Sequence, residues 1–316
     1  MKRFFVLLLI FALLLPISTQ AASISWVDFS VPYESLKYAM DTDISTYEKE
    51  KHICWIDILA VAACRTGGKC PLFAVKKAAS DLAGDRDLHE ILGGVYKYYD
   101  YYYTAYDGVL GGMLGSYAVM IDGEWKPTYG LKAFSPIAAG YGYNHCDDFG
   151  NSRSFGFRRK HLGHDMMGGL GTPIVAVEGG VIEAMGWNRY GGWRIGIRSF
   201  DSKRYYYYAH LQKNKPFADG LRPGDVVQAG DVIGFMGRTG YSDKENVNNI
   251  ETVHLHFGIE LIFDEGQKEC NSEIWINAYH IVRLLESHRS TVQKNDGIWR
   301  RKYDFVDLDI LTYPKM

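Results

Sequence analysis

His161-Leu162-Gly163-His164-Asp165 sets two metal-ligand side chains four residues apart with a glycine midway between them. On a β-strand, side chains alternate between faces, so positions i, i+2 and i+4 point the same way. His161 and Asp165 then share a face, Gly163 leaves room beside them for an ion, and His164 points to the other side. Downstream, His254-Leu255-His256 puts two imidazoles on one strand face, and Tyr208-Ala209-His210 closes another strand-like run with a third. Each histidine alone is unremarkable. Together, in this order and within about a hundred residues, they form the pattern of a metal site built on strands.

The surrounding sequence supports strands. Residues 174–177, 181–185, 194–199, 204–211, 226–227, 232–235 and 254–261 read as β, separated by glycine-rich turns. Gly179-Gly180 and Gly191-Gly192 have the composition of hairpin turns. Alternation within 205–210 puts Tyr206 and Tyr208 on the face of His210, so both are expected to border the site. Trp187, Tyr190 and Trp193, around the Gly191-Gly192 turn, are expected to form the opposite wall of a substrate groove. Asn144-His145-Cys146-Asp147-Asp148 reads as a polar turn. The hairpin at 223–234 has the half-barrel look of biotinyl and lipoyl carriers, but its tip holds no lysine, which makes it scaffold.

Catalytic zinc sites commonly take three ligands from His, Asp and Glu and leave the fourth position open. His161, Asp165 and one of His254 or His256 make such a set. The chain contains no H-E-x-x-H motif to supply a glutamate base. Proton transfer and oxyanion stabilisation therefore fall to the two remaining histidines.

Five segments, 161–165, Gly171-Thr172-Pro173-Ile174-Val175-Ala176, 208–211, 224–230 and His254-Leu255-His256-Phe257, resemble the lysostaphin or LytM type of zinc metallopeptidase, family M23. The resemblance covers roughly 133–262. It implies a small antiparallel β fold, one zinc ion per chain held by His161, Asp165 and His256, a catalytic pair His210 and His254, and bacterial peptidoglycan as substrate, cut in the stem peptide or crossbridge. One departure stands out: 13 residues, 241–253, separate Thr239-Gly240 from His254, where the family runs almost directly between the two. This loop is expected to overhang the site.

The rest of the chain frames that domain. With 316 residues, 47% hydrophobic and 23% charged, the composition is globular. A balance of 35 Lys+Arg against 37 Asp+Glu argues against nucleic acid as a partner. Residues 1–22 read as a secretory signal: Lys2 and Arg3, an apolar run to Leu15, then Pro16 and small residues at Ala21 and Ala22. The expected protein is thus secreted or extracytoplasmic and cell-wall associated, or membrane-anchored if the signal stays uncut. Residues 23–126 carry helical periodicity and no catalytic pattern, with Tyr96 to Tyr106 as an aromatic-rich helix packing its own domain; this helical domain could hold an envelope protein partner. The peptidase-like domain is expected at 127–270. Residues 271–316 form a helical extension with an apolar stripe at Ile274, Ala278, Ile281, Val282 and Leu285. The fold class is therefore α+β, an antiparallel all-β domain flanked by helices. Five cysteines without C-x-x-C spacing leave either a Cys64–Cys70 or Cys54–Cys64 bridge or free thiols. Two function classes remain: a secreted zinc endopeptidase, and a non-catalytic envelope or sporulation scaffold using the same barrel to bind a partner.

Overall fold

A computed structural model describes residues 25–27, 29–155, 158–263, 273–308 and 310. The expected signal at 1–22, and Cys270, lie outside the described residues. A short strand β1 (Ser25–Val27) precedes five helices: α1 (Tyr33–Thr46), α2 (Trp55–Thr66), α3 (Leu72–Ala83), α4 (Leu88–Leu92) and α5 (Tyr99–Leu110). The apolar α2 is almost wholly buried among the others, and it stops at Gly67 in the left-handed conformation, φ 63°. Asp43 of α1 accepts from the Trp55 backbone N–H at 2.8 Å, capping α2 from a neighbouring helix. The same buried carboxylate takes His52 and the Tyr129 hydroxyl, both at 2.8 Å. Among the described residues, Cys54, Cys64, Cys70 and Cys146 are all free thiols.

The chain then turns to strands: β2 (Leu114–Ile121), β3 (Glu124–Leu131), β4 (Tyr143–Cys146), β5 (Ser152–Arg153), β6 (Arg159–Lys160), β7 (His164–Gly168), β8 (Pro173–Val175), β9 (Gly180–Asn188), β10 (Gly192–Ser199), β11 (Arg204–Ala209), β12 (Val226–Val227), β13 (Val232–Phe235), β14 (His254–Leu261) and β15 (Ile274–Ile276). After α6 (Tyr279–Leu285) come β16 (Val292–Asn295), β17 (Ile298–Arg301) and β18 (Phe305–Asp307). The main sheet runs β1-β15-β14-β11-β10-β9-β12, antiparallel except for β1 against β15. On its other edge β14 pairs β7 through its first half, opposing His256 to Asp165 and His254 to Met167, and β7 in turn pairs β4. This register brings the two histidine motifs together.

Three expectations change in detail. The hairpin β2–β3 crosses the 126/127 boundary and takes β18 as its third strand, so the segment before 127 is helical only to Leu110. The C-terminal extension is helical at α6 alone, and Ile274 lies on a strand. Gly179-Gly180 joins strands that do not pair with each other, since β8 pairs β13 and β9 pairs β10. Gly180 is required for contact instead: a Cβ there would lie 2.1 Å from the Arg198 carbonyl oxygen.

One hydrophobic core runs from α1–α5 into the sheet, from Leu36 and Leu59 to Phe257 and Ile259. At the seam Arg204, fully buried, donates to the α5 carbonyls of Asp107 and Gly108 and pairs with Glu178 at 2.9 Å. A cation placed on the C-terminal carbonyls of a helix is electrostatically favoured. Among the described residues no helix is long and apolar enough to cross a membrane.

Candidate metal centre and cleft

His161 immediately precedes β7, Asp165 lies within it, and His256 faces both from β14. His161 Nε2 is 3.0 Å from Asp165 Oδ1 and 2.9 Å from His256 Nδ1, and His256 Nδ1 is 2.9 Å from Asp165 Oδ1. The three atoms thus form a nearly equilateral triangle in a buried setting. His161 turns its Nδ1 to Asp148 Oδ1, 2.9 Å away, which leaves its Nε2 for the other two, as an N–H towards Asp165 in the metal-free chain or as a lone pair towards a cation. Lone-pair atoms brought this close repel unless a proton or a cation sits among them. Two imidazoles and one carboxylate make a zinc donor set with a fourth position open. For bonds of about 2.0–2.1 Å the edges of such a set are about 3.3 Å, so the triangle needs to open by only a few tenths of an ångström. Among the described residues this is the one group of three or more His, Cys, Asp or Glu arranged to hold a metal ion.

Gly163 is required by this geometry, though by a different contact from an ion's. A Cβ at 163 would lie 2.5 Å from His256 Cε1 and Nε2 and 2.9 Å from the Phe257 carbonyl oxygen. The glycine makes room for the His256 ring.

His210 and His254 stand beside the triangle. Their rings are 4.7 Å apart, and His254 Nε2 is 3.8 Å from Asp165 Oδ2. Nδ1 of His210 lies 2.9 Å from the Thr239 carbonyl oxygen and Nδ1 of His254 2.9 Å from that of Thr252. A carbonyl only accepts, so each Nδ1 carries a proton, and in the neutral ring each Nε2 keeps a lone pair. Burial, together with His254 and His256, holds His210 well below the ordinary histidine range. Burial opposes charge on His161 too, yet Asp148 and Asp165 push it up to about 9. Burial would raise Asp165, but His161 and His256 hold its carboxyl well below the usual carboxylate range. His164 points away as expected, with Nε2 2.8 Å from His145 Nδ1; burial, then His145, lowers it to about 3.

A cleft of about 360 Å³ opens over these groups, lined among others by Arg153, Arg159, Asn188, Tyr190, Tyr207 and Tyr241. Of the five aromatic residues expected at the groove, Tyr190 lines it and the other four do not. Tyr206 and Tyr208 are fully buried, Tyr206 donating to Glu178 Oε2 and Tyr208 to no part of the cleft, its hydroxyl instead accepting from the Val177 N–H at 2.9 Å. The alternation that linked them to His210 fails because β11 ends at Ala209 and His210 adopts φ 61°. That left-handed residue turns its ring to the face of Tyr207. Trp187 and Trp193 brace the 241–253 loop, their indoles donating to Ser242 O and Asn246 Oδ1. Tyr190 does line the cleft, and so does Tyr241 of the loop, its ring 6.1 Å from that of His210.

Asp148 is the functional candidate that the turn reading missed. The segment before it is strand β4, not a turn, and β4–β7 pairing carries the chain back beside His161. Acid-rich composition before a histidine motif was the available signal, and a turn explained it equally well.

Residues 159–270 match the family model described as Peptidase family M23. The chain carries a peptidase family M23 domain. Over 134 residues, 42% of the chain, it is 40% identical to the L-Ala--D-Glu endopeptidase of Bacillus subtilis strain 168, and over 98 residues it is 38% identical to lysostaphin of Staphylococcus simulans. These stretches span only 38% and 17% of the two relatives' lengths. A crystal structure from Ruminococcus gnavus, provisionally assigned as a glycyl-glycine endopeptidase lytM, aligns over 83% of this chain and 90% of its own with a TM-score of 0.54 at 23% identity. The shared fold therefore extends well beyond the M23 domain.

Proposed function

We propose that this chain is a zinc-dependent endopeptidase that hydrolyses peptide bonds of bacterial peptidoglycan. The observation that carries the reading is the donor triangle of His161, Asp165 and His256 beside two histidines whose Nε2 lone pairs are unshared with the backbone. The match to Peptidase family M23, and a relative named for cutting L-Ala--D-Glu bonds, support it. His161, Asp165 and His256 would hold one zinc ion, and Asp148 would orient His161 through its other nitrogen. Zinc so bound supplies a Lewis acid for the carbonyl and lowers the pKa of water to about 7.

The protein's own residues then handle protons and orientation. His210 or His254 receives a proton from the attacking water at Nε2, and the carbonyl on its Nδ1 stabilises the imidazolium that results. The imidazolium so formed returns this proton to the departing amine, and the partner histidine, aimed into the same space, donates to the developing oxyanion when it carries a proton at Nε2. Tyr207 and Tyr241 wall the cleft. Residues 1–22 would direct the chain to the compartment where peptidoglycan lies.

The test is His210→Ala. The variant is expected to bind one zinc per chain and to lose cleavage of purified peptidoglycan by at least a hundredfold, in keeping with general acid–base contributions of about 10²–10⁴. Retained cleavage with zinc in place would overturn the assigned roles.

A further inference from the structure

Two arginines of the β5–β6 hairpin line the cleft, and they are used differently. Arg153 is committed inward, to Asp148 and to Asp165 Oδ2 at 3.5 Å. Arg159 has no carboxylate within ion-pair distance among the described residues, although it is half-buried. Its guanidinium sits over the rings of Tyr190 and Tyr241, 4.6 and 5.2 Å from their centroids, and gives one N–H to the Phe155 carbonyl at 3.3 Å. Phe155 stacks on Tyr241 at 4.8 Å, so the support itself is packed. A guanidinium has five N–H donors in a rigid plane that matches a carboxylate bidentately. Here two aromatic faces hold that plane, one donor is engaged, and the others are left to the cleft. Holding the fork in place in advance reduces the entropy lost when an anion docks.

Position gives this charge a meaning. Tyr241 lies between Arg159 and His210, touching both. A group seated on Arg159 is thus one aromatic ring away from the candidate proton-transfer pair. On an extended peptide it belongs to the residue next to the cut bond or one removed from it.

Resting on the endopeptidase reading above, we propose that Arg159 binds a free carboxylate of the substrate beside the scissile bond, so that the cleft selects acidic peptides over their amidated counterparts. Arg159 is a specificity determinant, and the inserted 241–253 loop contributes by supplying Tyr241 as one face of its mount. The acceptor is a carboxylate that remains ionised within a peptide backbone, such as the α-carboxyl of a γ-linked glutamyl residue.

The experiment uses two soluble stem peptides, L-Ala-γ-D-Glu-L-Lys-D-Ala with the glutamyl α-carboxyl free and the same peptide with that group as a carboxamide. The zinc-loaded full chain is assayed for kcat/KM on each, and the metal-free chain for binding of each by calorimetry. Wild type is expected to favour the acid by ten- to a hundredfold in both readouts, the range of one charge-assisted hydrogen-bonded pair. Arg159→Gln is expected to bring both ratios close to one, and Arg159→Lys to retain part of the preference. A merely structural role would lower both peptides together and leave the ratio intact, which would overturn the proposal, as would a wild type that cuts acid and amide equally. Carboxylate-selective binding without any cleavage would instead uphold the Arg159 assignment and count against the endopeptidase reading. Neither binding nor cleavage of either peptide would overturn both.

Discussion

Gly163→Ala adds a single methyl group and should dismantle the metal centre. That methyl would stand 2.5 Å from two atoms of the His256 ring and 2.9 Å from the Phe257 carbonyl oxygen. Ordinary contacts lie near 3.5–4.0 Å, so about 1 Å must be recovered. Phe257 belongs to β14, hydrogen-bonded on both edges, so the strand yields less readily than the ring. Turning the ring away carries Nδ1 off its 2.9 Å contacts with Asp165 and His161. Metal–ligand distances tolerate only about 0.2 Å, so a 1 Å shift removes one of three ligands. Overpacking of this size costs about 1–3 kcal/mol, which corresponds to roughly a 5- to 150-fold weaker zinc affinity if borne wholly at the site. Competition against a chromophoric chelator measures that affinity, and the melting temperature of the metal-free protein reports whether the strand moved instead. Zinc affinity within twofold of wild type would refute the reasoning, because the ring would then have room to spare.

Asp148→Asn should weaken zinc binding by about 10- to 100-fold through loss of the carboxylate that orients His161, read by the same chelator competition with unchanged secondary structure by circular dichroism. Arg204→Met should destabilise the chain by about 3–5 kcal/mol in urea unfolding, since it strands Glu178 and the α5 carbonyls without their buried cation; a loss under 1 kcal/mol would mean the seam is not held by this pair. His164 is held at about 3, below the ordinary value of about 6.5, so the folded chain leaves it neutral while the unfolded chain protonates it below that pH. Its contribution is complete above about 6.5 and is lost as pH falls towards 3, at up to ~1.4 kcal/mol per unit. His161, pushed up to about 9, acts oppositely, stabilising fully below about 6.5 and losing its effect as pH rises through 9. Comparing metal-free wild type with His164→Asn isolates the first effect: the stability difference between them should change by about 2 kcal/mol between pH 7 and pH 5, and a constant difference would rule it out.

The parts of the fold legible in the sequence were those governed by local periodicity. Strand alternation located β9, β10, β11, β13 and β14 to within a few residues, and the H-x-H spacing put His254 and His256 on one face because β14 is regular throughout. Alternation failed where the backbone left the strand. Counting back from His210 assigned Tyr206 and Tyr208 to the cleft, but φ 61° at His210 reverses the parity, and the tyrosine facing the site is Tyr207. Long-range partners were beyond the reach of any local pattern. β18 joins β2 from nearly two hundred residues away, with Lys132 pairing to Asp307 beneath it at 2.9 Å, and neither segment announces the other. Asp148 belongs to the same class, since only the pairing of β4 with β7 carries it to His161. Aromatic character and closeness to the turn suggest a wall for Trp187 and Trp193, whereas their indole N–H groups find acceptors in the inserted loop.

Cleavage of peptidoglycan by the metal-loaded cleft is read from the release of free amino groups from purified peptidoglycan by the full chain, with chelator, with zinc restored, and with His256→Ala. New amines with zinc, none with chelator, recovery on zinc addition and none from His256→Ala are the predicted results. Equal amine release in the presence of chelator, or from His256→Ala, would contradict the account, as would no release from the zinc-loaded wild type.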